Sequence, residues 1–127
     1  MKKILIIEDE QDILDMATMI LEDEGYEVCG ISEYPGFEST VNSCGADLVL
    51  LDLNLRGYRG EDICRYIKKS EALKHTAVVI MSANRDLQIV KEEAGADGYI
   101  SKPFDLTDFI NLVKQFINKG ELAVQTS

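Results

Sequence analysis

The chain has few prolines and no long apolar run, and both shortages exclude classes of protein. With only two prolines among 127 residues, 46% hydrophobic residues and 28% charged residues, the composition lies well away from the disordered class. The N-terminal apolar run from Ile4 to Ile7 ends at Glu8, and it is too short for a signal peptide or a membrane span. The length predicts one globular domain, over residues 1–120, followed by a short polar tail over 121–127.

Cysteine is scarce, and its spacing excludes the usual cysteine-based sites. Cys29, Cys44 and Cys64 are odd in number and widely spaced, so they predict neither a disulfide framework nor a zinc site. We expect all three to be small buried hydrophobic residues. Without a disulfide framework, a cytoplasmic location is expected.

Basic residues are too few for a nucleic-acid-binding chain. Thirteen Lys and Arg stand against 23 Asp and Glu, which gives a net charge of −10 and an isoelectric point near 4.5. Such a charge opposes binding to phosphate backbones and to anionic membranes. The expected partners are therefore proteins, with no direct contact to nucleic acid or membrane.

Apolar segments with strand character alternate with segments of helical period along almost the whole chain. The predicted strands cover residues 4–7, 26–31, 47–52, 77–81 and 98–100. Strands that are apolar on both faces predict an α/β fold, a doubly wound five-stranded parallel sheet of flavodoxin-like order 2-1-3-4-5 with helices on both faces. Gly25 and Gly120 should end the first and last helices, and Asp105 should cap the start of the last one.

Polar residues follow four of these strands. Glu8 and Asp9 come after the first, Asp52 ends the third, Ser82 follows the fourth and Lys102 the fifth. In this fold ligands bind at the carboxyl ends of the strands, so these side chains should converge. Three carboxylates in one place repel each other unless a divalent cation holds them, and Mg²⁺ is the first choice.

An aspartate beside such a cation can act as a nucleophile toward a phosphoryl group, and Asp52 is the candidate. Lys102 would supply a second positive charge, and the Ser82 hydroxyl would supply a hydrogen bond. Each residue taken singly is better explained as a turn, a cap or a solvated side chain. Their order after successive strands is what favours a functional site.

This ordered set resembles the receiver domain of two-component response regulators over about the whole chain. The motifs that carry the resemblance are Ile7-Glu8-Asp9-Glu10, Leu50-Leu51-Asp52-Leu53-Asn54-Leu55 with Gly57 and Gly60, Met81-Ser82-Ala83, and Tyr99-Ile100-Ser101-Lys102-Pro103-Phe104. The resemblance implies that Asp52 is the phosphoacceptor. It also implies that Mg²⁺ is bound by Asp9, Asp52 and the backbone carbonyl of Asn54, with Glu8 contributing through water.

The resemblance implies roles for the remaining residues as well. Ser82 and Lys102 would hold the phosphoryl oxygens, and Tyr99 would turn inward when Ser82 is drawn toward the phosphate. The peptide bond before Pro103 is often cis in this family. Signal output would use the face formed by the fourth helix, the fifth strand and the fifth helix.

Three positions concern the loops around the site. The family usually has proline where Arg56 stands and often aspartate where Arg59 stands. These two arginines either help to recognise a partner or alter the phosphoryl lifetime, or they are simply solvated. Asn84, like Asn54, occupies a position that tunes self-dephosphorylation in the family.

The expected activity is phosphoryl transfer to Asp52 from a histidine kinase or a histidine phosphotransfer protein, followed by slow self-catalysed hydrolysis. No independent enzyme is expected, and the protein would be a monomer or a phosphorylation-dependent dimer. A stand-alone regulator and a fragment of a longer transcriptional or enzymatic regulator both remain open, as does a pseudo-receiver. A Mg²⁺-dependent phosphohydrolase is disfavoured because Asn54 stands where a second acid is expected, and an FMN carrier because the acids after the first strand would repel the phosphate.

Overall fold

A computed structural model of the chain describes residues 1–33, 36–55, 57–83 and 86–118. Five strands form the main sheet: β1 Lys3–Ile7, β2 Glu27–Ile31, β3 Leu48–Asp52, β4 Ala77–Ser82 and β5 Gly98–Ser101. Five helices alternate with them: α1 Gln11–Asp23, α2 Phe37–Cys44, α3 Gly60–Lys69, α4 Leu87–Ala94 and α5 Leu106–Phe116.

The sheet is parallel throughout, in the order β2-β1-β3-β4-β5, which confirms the predicted fold. Successive strand residues point to opposite faces, so the sheet contributes to two cores. On one face Leu5 and Ile7 belong to a core with α2, α3 and α4, and on the other Ile4 and Ile6 belong to a core with α1 and α5. The three central strands are therefore covered on both faces.

Two residues predicted to end or cap helices, Gly25 and Asp105, do so in the structure. Gly25 adopts a left-handed backbone, with φ of 94°, just after α1 ends. The Asp105 carboxylate accepts a hydrogen bond from the backbone N–H of Asp108 at 2.8 Å and so caps α5. Gly120 and the predicted tail over 121–127 lie outside the described residues.

Two features of the fold were not predicted. A small antiparallel hairpin, Asn54–Leu55 paired with Tyr58–Arg59, lies between β3 and α3. At the opposite end of the sheet the Lys68 ammonium lies 2.6 Å from an Asp97 carboxylate oxygen, which also accepts the backbone N–H of Val78. This half-buried ion pair ties α3 to the residues that flank β4 and β5.

The cysteines pack as hydrophobic residues, with one exception. Cys44 and Cys64 are buried as predicted, and burial raises the pKa of the Cys64 thiol to about 11. Cys29 is only half-buried, because it lies on β2 at the edge of the sheet. Within the described ranges, none of the helices has the length and apolar character that a membrane crossing requires.

Candidate functional site

The polar residues named above meet at the carboxyl edge of the sheet. Glu8 and Asp9 directly follow β1, Asp52 ends β3, Ser82 ends β4, and Lys102 directly follows β5. Because β1, β3 and β4 are neighbours in a parallel sheet, their ends lie side by side at this edge. The chain order therefore translates into one cluster.

Backbone hydrogen bonds continue the strand pairing into the loops that carry the site. The N–H of Glu8 donates to the carbonyl of Ile31 at 3.1 Å, which extends the β1–β2 pairing by one residue. The N–H of Lys102 donates to the carbonyl of Ser82 at 2.8 Å. The backbone at Glu8 and Lys102 is thus fixed by sheet geometry.

Three carboxylates and one ammonium form the centre of the site. Carboxylate oxygens of Glu8, Asp9 and Asp52 all lie within 4.8 Å of one another. The Lys102 ammonium donates to Glu8 Oε1 at 2.7 Å and to Asp52 Oδ2 at 3.2 Å. Glu8 is fully buried and Asp52 is 3% exposed, so these charges interact with little solvent screening.

Burial and close charges shift the ionisation of this cluster. Burial, followed by the neighbouring Asp52 carboxylate, raises the pKa of Glu8 from 4.5 to about 7. Burial alone would lower the pKa of Lys102, but the hydrogen bond to Glu8 and the attraction of Asp52 outweigh it and raise that pKa. Lys102 therefore stays protonated at neutral pH, whereas Glu8, with a pKa of about 7, is only partly ionised there.

The donor atoms suit a divalent cation that prefers oxygen ligands. Glu8 Oε2 is buried and has no hydrogen-bond partner among the described residues. Asp52 Oδ1 is held by the backbone N–H of Asn54 at 3.0 Å. Clustered carboxylate oxygens and excess negative charge are what Mg²⁺ or Ca²⁺ requires, so the residues fit such an ion.

Gly60, the first residue of α3, controls how closely that helix approaches the site. A Cβ atom added to Gly60 would lie 2.4 Å from the carbonyl oxygen of Asp52 and 2.8 Å from Cα of Leu53. The Gly60 N–H also donates to the Leu53 carbonyl at 3.3 Å. The start of α3 therefore packs directly on the backbone that carries Asp52, a contact that no spacing in the sequence indicates.

Comparison with known protein families shows which family this chain belongs to. The profile of the family described as the response regulator receiver domain matches residues 4–114. This chain is a response regulator receiver domain. Receiver domains act in two-component signalling, where they interact with histidine kinases, and they bind Mg²⁺ at an acidic pocket.

Curated relatives of this receiver domain are longer proteins. The sensory transduction protein RegX3 of Mycobacterium tuberculosis is 33% identical over 123 residues, which cover 94% of this chain and 52% of that protein. The response regulator ArlR of Staphylococcus saprophyticus is 36% identical over 124 residues, which cover 94% and 54%. The receiver domain thus spans about half the length of the curated relatives it matches.

Solved structures share the same fold over nearly the whole chain. A response regulator receiver domain protein of Clostridium thermocellum is 33% identical, with a TM-score of 0.84 over 97% of this chain and 99% of that one. A CheY-like receiver domain protein of Methanospirillum hungatei is 27% identical, with a TM-score of 0.87 over 97% and 98%.

Four more of the predicted residues, Ser82, Tyr99, Arg59 and Pro103, lie within the described part of the chain. The Ser82 side chain is buried, and the Lys102-Pro103 peptide bond is cis. The Tyr99 side chain is 37% exposed on β5. Arg59 points toward solvent and donates to Glu61 at 3.3 Å. Arg56 and Asn84 lie outside the described residues.

Proposed function

We propose that Asp52 of this receiver domain accepts a phosphoryl group from a histidine kinase or a histidine phosphotransfer protein. The observation that carries the proposal is the Lys102 ammonium, which contacts both the buried Glu8 and Asp52 at the end of the sheet. A cation held against the acceptor carboxylate can neutralise charge on the phosphoryl oxygens during transfer. An ion pair that only stabilised the fold would need a single carboxylate, whereas three carboxylates cluster at this site.

The transfer exchanges one bond to phosphorus for another. An oxygen of the Asp52 carboxylate bonds to phosphorus while the bond from phosphorus to the donor's imidazole nitrogen breaks, and that nitrogen keeps the electron pair. Lys102 and the Ser82 hydroxyl would then contact the phosphoryl oxygens. Later attack by water releases phosphate and restores the carboxylate, so the chain catalyses only its own modification and is no independent enzyme.

Glu8, Asp9, Asp52 and the backbone carbonyl of Asn54 would hold Mg²⁺, with Glu8 acting through water. When bound, the ion supplies positive charge that offsets the carboxylates and the incoming phosphoryl group. The fit rests on the clustered carboxylate oxygens and on the unpartnered Glu8 Oε2. Ion binding would replace the repulsion among these groups by attraction.

Ser82 and Tyr99 are proposed to form the switch. Ser82 ends β4, and Tyr99 on the adjacent β5 pairs in register with Ile80, so the two side chains belong to neighbouring strands. Drawing the buried Ser82 hydroxyl toward a phosphoryl group would open space into which the half-exposed Tyr99 ring can turn. The switch would thus couple the modification to the outer surface of β5.

The surface formed by α4, β5 and α5 is the proposed output surface for a downstream protein. Ile89, Tyr99 and Leu106 each leave a third or more of their surface exposed there. Exposed apolar side chains grouped on one face are typical of protein interfaces. Phosphorylation would change the affinity of this surface for a partner protein or for a second copy of the chain.

A cytoplasmic location of the protein stays a prediction.

Intact-mass measurement after incubation with acetyl phosphate tests the proposal. The wild type should gain one phosphoryl group when Mg²⁺ is present and none with a chelator, and Asp52→Asn should gain none. Asp15→Asn is the matched control, because Asp15 lies exposed on α1 and contacts only Gln11 in the described hydrogen bonds. A folded wild type that binds Mg²⁺ but gains no mass would refute the proposal.

A further inference from the structure

A polar cleft of about 420 Å³ opens beside the proposed acceptor site. It lies between the short hairpin and the end of β4, and its lining includes Asn54, Tyr58, Arg59, Glu61 and Ser82. Its volume lies within the range of small-molecule sites in proteins. The cleft is therefore large enough for a small phosphorylated molecule that approaches the acceptor.

The hairpin connects this cleft directly to the acceptor carboxylate. Asn54 and Arg59 are paired opposite each other across the hairpin. The backbone N–H of Asn54 donates to Asp52 Oδ1 at 3.0 Å. Arg59 therefore stands across a single strand pair from the residue that orients the acceptor.

The Arg59 guanidinium is the charged donor group that this cleft offers to an anion among the residues that line it. Its side chain is 70% exposed, and it contacts Glu61 Oε2 at 3.3 Å. Water screens the guanidinium charge, whereas the Glu61 side chain is only 21% exposed, so the contact is a partly screened ion pair. An anion with two adjacent oxygens can exchange with Glu61, since a guanidinium binds such groups through two parallel hydrogen bonds.

We propose that Arg59 binds the anionic phosphodonor in this cleft, and that Glu61 competes with the donor for the guanidinium. The donor class is a small acyl phosphate, which carries two negative charges near neutral pH. Arg59 is thus a specificity-determining residue that favours dianionic donors, and this inference rests on the proposed function of Asp52. It replaces the alternative in which Arg59 is merely a solvated loop residue.

Phosphorylation rates with donors of different charge test the inference. Acetyl phosphate is a dianion at pH 7, whereas phosphoramidate carries a single net negative charge. Initial rates by intact mass, at donor concentrations below saturation, would be compared for wild type, Arg59→Gln, Glu61→Gln and the double variant. Arg65→Gln is the matched control, because Arg65 also pairs with an acidic neighbour, Asp62, but does not line the cleft.

Arg59→Gln should lower the acetyl phosphate rate by about two- to fivefold, the range expected of an exposed charge contact, and the phosphoramidate rate by less. Glu61→Gln should raise the acetyl phosphate rate, and the double variant should match Arg59→Gln. Added salt should shrink these differences, because it screens exposed charges. A purely structural role for Arg59 would not make the effect depend on donor charge or on salt.

Three results would overturn the inference, and they are distinguishable. Equal rates for Arg59→Gln and wild type with acetyl phosphate, or an equal loss in Arg65→Gln, would remove the donor role of Arg59 and leave the role of Asp52 intact. Absence of phosphorylation in the wild type with both donors would overturn the function proposed for Asp52 and this inference with it.

Discussion

Replacing Gly60 by alanine tests whether the packing of α3 positions the acceptor. The added methyl group would lie 2.4 Å from the Asp52 carbonyl oxygen, whereas real Cβ contacts are essentially never shorter than 3.0 Å. The neighbouring atoms belong to the backbone of Asp52 and Leu53, so no side chain can rotate away. The start of α3 and the backbone that carries Asp52 must therefore move apart by at least about 0.6 Å, and any part of that shift taken up by Asp52 displaces the acceptor.

The magnitude follows from two opposing effects on stability. Overpacking of this kind costs roughly 1–3 kcal/mol. Alanine is a better helix former than glycine by up to about 1 kcal/mol, and Gly60 is the first residue of α3, so part of that cost is offset. A net loss of about 1–2 kcal/mol corresponds to a fall in Tm of roughly 4–10 °C for a domain of this size.

The loss in phosphorylation rate should be comparable in free energy to the loss in stability, because a tenfold fall in rate corresponds to about 1.4 kcal/mol in the barrier. A displacement approaching 1 Å at a reacting group can cost about a hundredfold in rate, so a shift near 0.6 Å should slow phosphorylation about tenfold or more. Thermal unfolding and the initial rate of mass gain with acetyl phosphate measure the two effects. Both are read at a temperature where the variant is fully folded.

Gly57→Ala is the matched control within the same loop. Gly57 has a left-handed backbone with φ of 74°, but an added Cβ would have no neighbour within 4 Å. This substitution should cost about 1 kcal/mol through backbone strain and leave the phosphorylation rate almost unchanged. If Gly60→Ala were as stable and as reactive as the wild type, the contact between α3 and the acceptor backbone would have no positioning role.

Three further substitutions test the charges and caps of the fold. The pKa of Glu8 is higher in the folded state than in the unfolded chain, so the folded state binds more protons between pH 4.5 and 7. Without divalent cation, the free energy of unfolding should therefore fall by at most about 3 kcal/mol as the pH rises from 4.5 to 7. Glu8→Gln should abolish this fall in urea titrations, and an identical pH profile would contradict it. Asp105→Ala should cost about 1 kcal/mol through loss of the α5 cap, measured by thermal unfolding, and no loss would mean that water replaces the cap. Lys68→Met should lower the free energy of unfolding by about 1–3 kcal/mol, because it leaves the half-buried Asp97 without its cation. Chemical denaturation measures this loss, and an unchanged midpoint would mean that the ion pair contributes nothing to stability.

Most of the fold was predictable because its signals are local. The apolar runs around Leu50 and Val79 are too short for helices, and their continuity indicates strands covered on both faces. Asp105 caps the start of a helix and Gly25 follows the end of one, and both effects depend on only a few neighbouring residues. The hairpin between β3 and α3 was missed because two-residue strands leave no periodic pattern.

The residues that form the candidate site could be predicted from the sequence, whereas the contacts between them could not. Residues after successive parallel strands must converge, so Asp52 and Lys102 could be grouped from their order alone. Residue order did not indicate that the Lys102 ammonium would contact Glu8 more closely than Asp52, or that Glu8 Oε2 would be left without a partner in the described structure. The exposure of Arg59 and its pairing with Glu61 also depend on side-chain positions that no spacing encodes.

The order of strands and helices, the parallel sheet and the set of polar residues at its carboxyl edge could all be predicted from the amino-acid sequence. These follow from hydrophobic period and chain order, which are properties of neighbouring residues. The burial of Glu8, the shift of its pKa and the packing of Gly60 against the Asp52 backbone depend instead on how the folded chain packs. Burial and close approach arise between residues far apart in the chain, so they exist only once the sheet and its helices are packed together.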